Sequence, residues 1–417
     1  MSAAKEPRME SGIGPTAHAL PSPAAASPSG SPPAATTPST GQALQGPRPT
    51  LATVFTGPNS IGALRLWLAV TVLLSHGWAL SGHHTPALGR HEYDEVALNG
   101  FFAVSGFLVT RSGTRLSVPR FLWHRALRIL PAFWVCLLLV ALVEAPLGWL
   151  HDTGSLRGYP LTGPHGALPY VTDNALVRMR FYDIAGTPTG TFFPLPGSGM
   201  PVAWDGSLWT LWWEVLCYLG TAALAAVGLL RRRPVLAVGA TLLLLAAIHP
   251  LGPGGALLPA PFSTDLARFG LHFLAGAVLC LYAERIPLSG RLATAAALVL
   301  GASFFVTDQH LLSALPMAYL VAWLAVRLPL HRVGSRRDLS YGLYIYGFPI
   351  QQLATVYGLH RLGAVVYLPL TTAVTVLVAA ASWPAVEAPA LRQKNRWSRR
   401  PGRGRSLDAL PAPRTGH

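Results

Sequence analysis

The chain has 417 residues, of which 51% are hydrophobic and only 12% charged, and its formal net charge is +15. A soluble domain usually carries about twice that charged fraction, so the composition favours a membrane protein. Nucleic-acid binding is disfavoured because the basic residues lie between apolar segments and in the C-terminal tail, where membrane topology places them. The cysteines Cys136, Cys217 and Cys280 lie in apolar runs without a CxxC pair, which argues against a disulfide framework or a zinc site.

The two ends of the chain differ in composition from its centre. Residues 1–58 are rich in Pro, Ala, Ser, Thr and Gly without hydrophobic periodicity, which predicts a disordered tail. Residues 59–390 form the predicted transmembrane domain, and residues 391–417 a basic tail that we expect on the cytoplasmic side. An extracytoplasmic loop over 149–206 is rich in Gly, Pro and aromatic residues, and it is either a lid or a plain connector.

About ten apolar segments of membrane-spanning length follow the N-terminal tail, and they predict an all-α polytopic membrane helix bundle. We place these segments near residues 61–80, 96–111, 129–148, 207–229, 235–250, 265–283, 292–307, 310–327, 339–358 and 363–384. Alternate connections carry most of the arginines, which is the positive-inside pattern. It predicts a multi-pass protein of the cell membrane with an even number of spans and both termini in the cytoplasm.

The first apolar segment contains two ionisable residues, Arg65 and His76. Eleven residues come to within about 20° of a whole number of helical turns, so both side chains project from one face, about 16 Å apart along the axis. Ionisable groups in a membrane span cost several kcal/mol unless they face a cavity or a partner. The pair therefore predicts a polar track through the membrane.

Seven short motifs follow one another along the chain: Arg65-x10-His76, NGFFAVSGFL at Asn99–Leu108, Arg120-Phe121 with Arg125 and Arg128, WTLWWEVLCY at Trp209–Tyr218, FLAG at Phe273–Gly276, SYGLY at Ser340–Tyr344, and Glu387-Ala388-Pro389. This series resembles the acyltransferase-3 family of integral-membrane acyltransferases, which O-acylate sugars, surface polysaccharides and some macrolides. The resemblance extends from about residue 60 to 392. One departure is Gly347, which stands where the family often has a histidine after the second tyrosine of the SYGLY motif.

The resemblance implies an enzyme that moves a short acyl group from acyl-CoA to a hydroxyl of a sugar, polysaccharide or macrolide-like acceptor. Acyl-CoA would be a co-substrate, with no metal and no tightly bound cofactor. A transporter or flippase of a glycolipid or acyl donor is the alternative from another class, although no repeat between the two halves is evident. A catalytically silent scaffold is disfavoured by the intact Arg65, His76 and Glu214.

His76 is the natural general base, because imidazole titrates near neutrality, and the resemblance points to the same residue. Glu214 is the predicted orienting carboxylate, since the two residues lie at similar depths counted from the outer ends of their segments. The alternatives are a structural histidine and a carboxylate that pairs with arginine for folding alone.

Arginines near the inner face are predicted to hold the donor. Arg65 could bind its phosphates or its thioester carbonyl, or could reach toward the lipid headgroups. Arg120, Arg125 and Arg128 suit the phosphates of coenzyme A, although topology and contact with anionic lipid explain them as well.

Three further residues are candidates for substrate contact. Ser105 more often marks close helix packing than chemistry. Trp209 either stacks on a sugar or lies at the membrane interface. Tyr341 lines the acyl path or belongs to the core.

Overall fold

The computed structural model describes residues 49–192, 202–248, 262–307 and 309–394. Most of the predicted N-terminal tail (1–48), most of the predicted basic tail (395–417) and residues 193–201 of the long loop lie outside the described residues. The predicted disorder and charge-directed placement of those tails therefore stay predictions.

The described chain is mostly helical, with one hairpin of two short antiparallel strands, β1 (Ala87–Leu88) and β2 (His91–Glu92). The helices are α1 (Thr53–Thr56), α2 (Ile61–Leu80), α3 (Tyr93–Arg115), α4 (Val118–Leu139), α5 (Ala145–Thr153), α6 (Ala167–Asn174), α7 (Thr210–Ala226), α8 (Leu229–Arg232), α9 (Pro234–Ile248), α10 (Phe262–Leu281), α11 (Gly290–Ser303), α12 (His310–Arg327), α13 (Ser340–Val356), α14 (Ala364–Ser382) and α15 (Ala388–Arg392). Two π-helical turns, Val140–Glu144 and Trp383–Glu387, join α4 to α5 and α14 to α15.

A helix lies at each of the ten predicted apolar segments. Five helical stretches among the described residues are long and apolar enough to cross a membrane: Ile61–Leu80, Val118–Thr153, Thr264–Leu281, His310–Arg327 and Ala364–Arg392. Three shorter apolar helices add to them, Thr210–Ala226, Pro234–Ala246 and Gly290–Ser303. The protein is thus a multi-pass membrane protein, and the count of ten spans stays a prediction.

Two helices that position the site, α3 and α13, are less apolar than a lipid-facing span because they are largely enclosed by the rest of the bundle. Almost every residue of α13 is buried. Helix α3 packs closely against α10, where a Cβ added at Gly106 would collide with the Phe273 carbonyl group. A Cβ at Gly276 would collide with the Ala103 carbonyl group in the same way, so the glycines of two motifs bring the two backbones together.

The segment before α7 is buried inside the bundle. Trp204, Asp205 and Leu208 are inaccessible to solvent. The Ser207 hydroxyl donates to the Tyr344 carbonyl oxygen at 3.1 Å, and Tyr344 is only the fifth residue of α13. The chain therefore enters the bundle before α7 begins. As a result, every side chain of α7 lies farther from the end of the bundle that holds His76.

Candidate active site

A buried ion-pair cluster lies at the end of the bundle that holds Arg65. The Arg65 guanidinium contacts the Asp338 carboxylate at 2.5 Å, and Arg128 contacts the same carboxylate oxygen at 2.6 Å. Arg128 also lies 3.7 Å from the Glu387 carboxylate. Although burial raises the pKa of the Asp338 carboxyl, the two guanidiniums outweigh that effect and hold it at about 2. One carboxylate thus ties α2, α4 and the start of α13 together.

A cavity of about 100 Å³ opens above this cluster. Six residues predicted from the sequence line it: Arg65, Ser105, Arg125, Arg128, Glu214 and Tyr341. The Tyr341 hydroxyl donates to the Ile129 carbonyl oxygen at 2.8 Å, and its ring lies 5.5 Å from the Arg128 guanidinium. The fold therefore gathers residues that are up to 276 positions apart in the chain (65 to 341) around one space.

Glu214 is a hydrogen-bond acceptor on the wall of the cavity. The Ser105 hydroxyl donates to its carboxylate at 3.0 Å, and the Tyr218 hydroxyl donates to the same oxygen at 2.6 Å. Since Ser105 lies on α3, the carboxylate links α3 to α7. Ser105 is thereby a partner of Glu214 and also part of the cavity lining.

Arg125 is held by aromatic rings. Its guanidinium lies 5.6 Å from the centre of the Tyr218 ring and 5.9 Å from that of Phe121. No ion pair joins it to a carboxylate among the described residues, and its buried Nε atom has no hydrogen-bond partner there. Arg125 therefore differs from Arg65 and Arg128, which share the Asp338 carboxylate as a counter-ion.

His76 lies farther along the bundle, beside a carboxylate of α3. Its Nε2 atom is 3.5 Å from the Asp94 carboxylate, and the Ser75 hydroxyl donates to the other Asp94 oxygen at 3.3 Å. The Phe348 ring meets the imidazole edge-on, with 5.3 Å between centroids. Nδ1 of His76 has no hydrogen-bond partner among the described residues, so it is the nitrogen that is free to accept a proton.

The structure does not bring Glu214 into contact with His76, so the predicted contact is wrong. Glu214 contacts Ser105 of α3, whereas His76 contacts Asp94 of the same helix. Eleven residues of α3 separate these two contact points, or about 16 Å along its axis. The depth estimate failed because it counted Glu214 from the outer surface, whereas the segment before α7 is itself buried.

His76 and the cavity are nonetheless neighbours. Leu98 and Tyr344 line the cavity, and each lies one helical turn from a residue that contacts His76, namely Asp94 and Phe348. One turn is about 5.4 Å. The Tyr344 hydroxyl is fixed in place by Thr210 and by the Ser207 carbonyl oxygen. The arginines, the cavity and the imidazole therefore follow one another along a single track.

A second carboxylate, Asp205, lies close enough to His76 to interact with it electrostatically. Burial raises the pKa of the Asp205 carboxyl to about 6, against the opposing effect of hydrogen bonds from Ser207 at 2.7 and 2.9 Å. Above that pH the negative charge of Asp205 therefore adds to that of Asp94 in favouring a charged imidazole.

Two predicted residues lie elsewhere. Arg120 and Trp209 are not part of the described cavity lining, and the Trp209 indole is tilted against Phe269 with 5.9 Å between centroids. No group of three or more His, Cys, Asp or Glu side chains among the described residues is arranged to hold a metal ion.

Sequence reasoning missed Asp94 and Asp338. Asp94 stands in the first turn of α3, where acidic residues are common because they interact favourably with the helix dipole. Its position therefore has an ordinary structural explanation. Its signal is its position at the start of the second apolar segment, level with His76 near the end of the first. Asp338 directly precedes the SYGLY motif at the same end of the bundle as Arg65.

Comparison with known proteins adds an independent line of support. The profile of a family described as an acyltransferase domain matches residues 59–383. An O-acetyl transferase of Shigella phage Sf6 is 28% identical over 343 residues, which covers 79% of this chain and 95% of that relative. Nodulation protein 10 of Rhizobium leguminosarum bv. viciae is 30% identical over 361 residues, which covers 80% of this chain and 93% of that relative. No solved structure matches the chain.

Proposed function

The chain belongs to the acyltransferase-3 family and is an acyltransferase, and on that premise we propose that it moves a short acyl group from acyl-CoA to a hydroxyl of a carbohydrate or glycosylated acceptor. The observation that carries the proposal is the single track from the Arg65–Asp338–Arg128 cluster, through the cavity, to His76 and Asp94. The name of the phage relative, an O-acetyl transferase, supports acetyl as the group transferred.

The residues at the His76 end suit the proton transfer that this reaction needs. The acceptor oxygen attacks the thioester carbonyl carbon, and its proton passes to Nδ1 of His76. The C–S bond then breaks, the sulfur leaves with the bonding electrons as a thiolate, and the imidazolium returns the proton to it. Asp94 holds Nε2–H and stabilises the imidazolium as it forms. Direct attack is our preferred route, and an acyl-His76 intermediate is the alternative.

The arginine end suits the donor. Arg65, Arg125 and Arg128 line the inner part of the cavity, and guanidinium groups match phosphate and carbonyl oxygens well. We place this end at the cytoplasm, where coenzyme A is found, which puts both termini inside. The donor is a co-substrate that leaves as free CoA, and the proposal includes no metal and no tightly bound cofactor.

The acceptor would enter from the opposite side, where His76 and the long loop lie. Glu214 then has a role different from the predicted one: it holds Ser105 and Tyr218 on the cavity wall and adds one negative charge among the three arginines. Neither the family match nor the names of the two relatives support the transporter alternative.

The test is transfer of labelled acetyl from acetyl-CoA to carbohydrate by the purified protein in lipid nanodiscs. Methyl glycosides and bacterial surface polysaccharide serve as acceptors, and mass spectrometry identifies the ester. The proposal predicts an acetylated hydroxyl that is absent when His76→Ala protein is used and much reduced when Asp94→Asn protein is used. Labelled acetyl-CoA that remains intact with every acceptor, under conditions in which the protein is folded, would contradict it.

A further inference from the structure

The C-terminal segment of the described chain packs against α4 at the arginine end. Helix α15 contacts α4, and the Lys394 backbone lies close enough to the His124 imidazole to interact with it. This contact places the Lys394 ammonium group within electrostatic range of Arg125 and Arg128. Lys394 lies beyond residues 59–383, the part of the chain that matches the family profile.

The described surroundings of Lys394 are rich in cations. Partial burial lowers the pKa of the Lys394 ammonium to about 8, and repulsion by Arg125 and Arg128 adds to the effect. Neither Lys394 nor Arg125 forms an ion pair with a carboxylate among the described residues. The Nε atom of Arg125 and Nε2 of His124 are also buried there without hydrogen-bond partners. Cations held together in this way are stabilised when an anion binds between them.

The position of Arg125 indicates what kind of anion would bind. Arg125 belongs both to this cluster and to the lining of the central cavity. A ligand that reaches from the cluster into the cavity needs phosphate at one end and a slender, largely apolar arm at the other. A lipid headgroup would supply the phosphate, but its acyl chains would lie in the bilayer and not in the central cavity.

We propose that Lys394, Arg125 and His124 form a phosphate-binding site for the nucleotide end of the thioester donor, a role that rests on the proposed acyl-CoA-dependent function. In this arrangement Arg65 and Arg128 share the Asp338 carboxylate as a counter-ion and serve the arm of the donor in the cavity. Lys394 is thus a specificity residue that distinguishes a thioester with a nucleotide from a thioester without one.

The experiment compares two donors, acetyl-CoA and S-acetylpantetheine, which has no phosphate. Wild type, Lys394→Gln and Arg392→Gln are assayed in nanodiscs of phosphatidylcholine alone. Arg392 is the matched control because it is an exposed cation two residues away on the same segment. We expect Lys394→Gln to raise the KM for acetyl-CoA roughly tenfold, the effect of losing one charge-assisted hydrogen bond, without changing kcat. Its KM for S-acetylpantetheine and both constants of Arg392→Gln should match wild type.

A pH series gives a second readout. Because the free ammonium loses its proton near pH 8, the KM of wild type for acetyl-CoA should rise above that pH, and the rise should be absent in Lys394→Gln. An unchanged KM for acetyl-CoA in Lys394→Gln would overturn the site, as would an equal rise for both donors. An effect that requires added anionic lipid would assign the cluster to a headgroup and would also overturn it. Failure of the wild type to use either donor would instead refute the proposed function.

Discussion

At the scale of single residues, Asp94 decides which nitrogen of His76 is available for chemistry. Nε2 faces the Asp94 carboxylate at 3.5 Å, so Nδ1 is left to accept a proton. The Ser75 hydroxyl fixes the carboxylate in turn. This relay of hydroxyl, carboxylate and imidazole gives the histidine one orientation and stabilises its charged form. We therefore propose that Asp94 is a positioning residue, which acts on the reaction through His76.

Asp94→Asn should lower kcat about 100-fold or more, the usual contribution of a general base in its working state. The donor KM should stay the same, because Asp94 is about three helical turns of α3 away from Ser105 and the arginine end. Steady-state kinetics with acetyl-CoA measure both constants. Asp173→Asn is the matched control, since it makes the same exchange at an exposed carboxylate of α6. A kcat within twofold of wild type in Asp94→Asn would remove the positioning role.

Asp338 is the corresponding residue at the other end of the track, and its role is structural. Removing its charge leaves Arg65 and Arg128 side by side without a shared counter-ion, so Asp338→Asn should lower the free energy of unfolding by about 3 kcal/mol. The thermal unfolding midpoint of the detergent-solubilised protein measures this loss. Glu284→Gln, at an exposed carboxylate, should leave the midpoint unchanged.

The pH dependence of that loss follows from the depressed pKa of Asp338. The pKa of the Asp338 carboxyl is about 2 in the folded protein, below its usual value near 4. The stabilisation that its charge contributes is therefore complete above about pH 4 and disappears as the pH falls toward 2. The difference between wild type and Asp338→Asn should therefore be equal at about pH 6 and about pH 8. A difference that disappears at the lower of these two pH values would show that another group carries the effect.

The sequence made Arg65 and His76 conspicuous because ionisable residues are rare in apolar segments, but it left their partners unidentified. Asp94 and Asp338 lie at helix beginnings, where a carboxylate has an ordinary explanation. Their importance depends on which helices are neighbours, and no periodicity in the chain reports that. Pairing within one helix could be predicted from spacing, whereas pairing between helices required the fold.

At the scale of helices, the crossing of α3 and α10 sets the geometry of the site. Gly106 and Gly276 allow the two backbones to touch, and α3 carries both Asp94 and Ser105. The cavity wall and the partner of His76 thus depend on one close helix contact. The motif glycines are packing residues, which fits the expectation that a small residue beside Ser105 serves helix approach.

Gly106→Ala tests this crossing. The added methyl group would overlap the Phe273 carbonyl group on α10, and backbone cannot move aside as a flexible side chain can. We expect a large loss of folded protein, measured as the monodisperse fraction in size-exclusion chromatography. Gly301→Ala is the control, because a Cβ there meets nothing within 4 Å. Equal yields of the two variants would contradict the close crossing.

Gly347 shows how packing explains a departure from the family pattern. A Cβ at this position would overlap the Leu73 side chain of α2, one turn before His76. A histidine here would require the Leu73 side chain to move aside. The sequence revealed the departure, but only the fold shows that α2 occupies the space.

The depth of α7 in the bundle is the feature at this scale that differs most from the sequence prediction. The long loop has the composition of a surface connector, so the sequence predicts a depth for Glu214 that is counted from the membrane surface. Burial of Trp204 and Asp205 is a tertiary property that composition does not reveal. Helix existence was predictable from apolar length at all ten segments, whereas helix depth was not.

At the scale of the whole molecule, the track has a direction, with arginines at one end and the imidazole near the other. The Arg-rich connections of the sequence predict that the arginine end faces the cytoplasm. Accessibility to a membrane-impermeant thiol reagent in intact cells tests this orientation, in a background where the native cysteines are replaced by alanine. Ser155→Cys, in the long loop, should be labelled from outside.

Ser335→Cys is its matched partner, since it makes the same exchange at an exposed serine beside the Arg65–Asp338 contact. It should be labelled only after the cells are opened. Labelling of both sites in intact cells, or of Ser335→Cys alone, would contradict the orientation and with it the supply of donor from the cytoplasm.

The central claim is that one track joins donor-binding arginines to a catalytic imidazole, and release of free CoA thiol from acetyl-CoA tests it most directly. Wild type and His76→Ala protein are compared in nanodiscs with carbohydrate acceptor present, once equal thermal unfolding midpoints have shown that both are folded. The account predicts that His76→Ala releases thiol at the rate of a protein-free control while it still binds CoA at the arginine end. Thiol release by His76→Ala at the rate of wild type would contradict it.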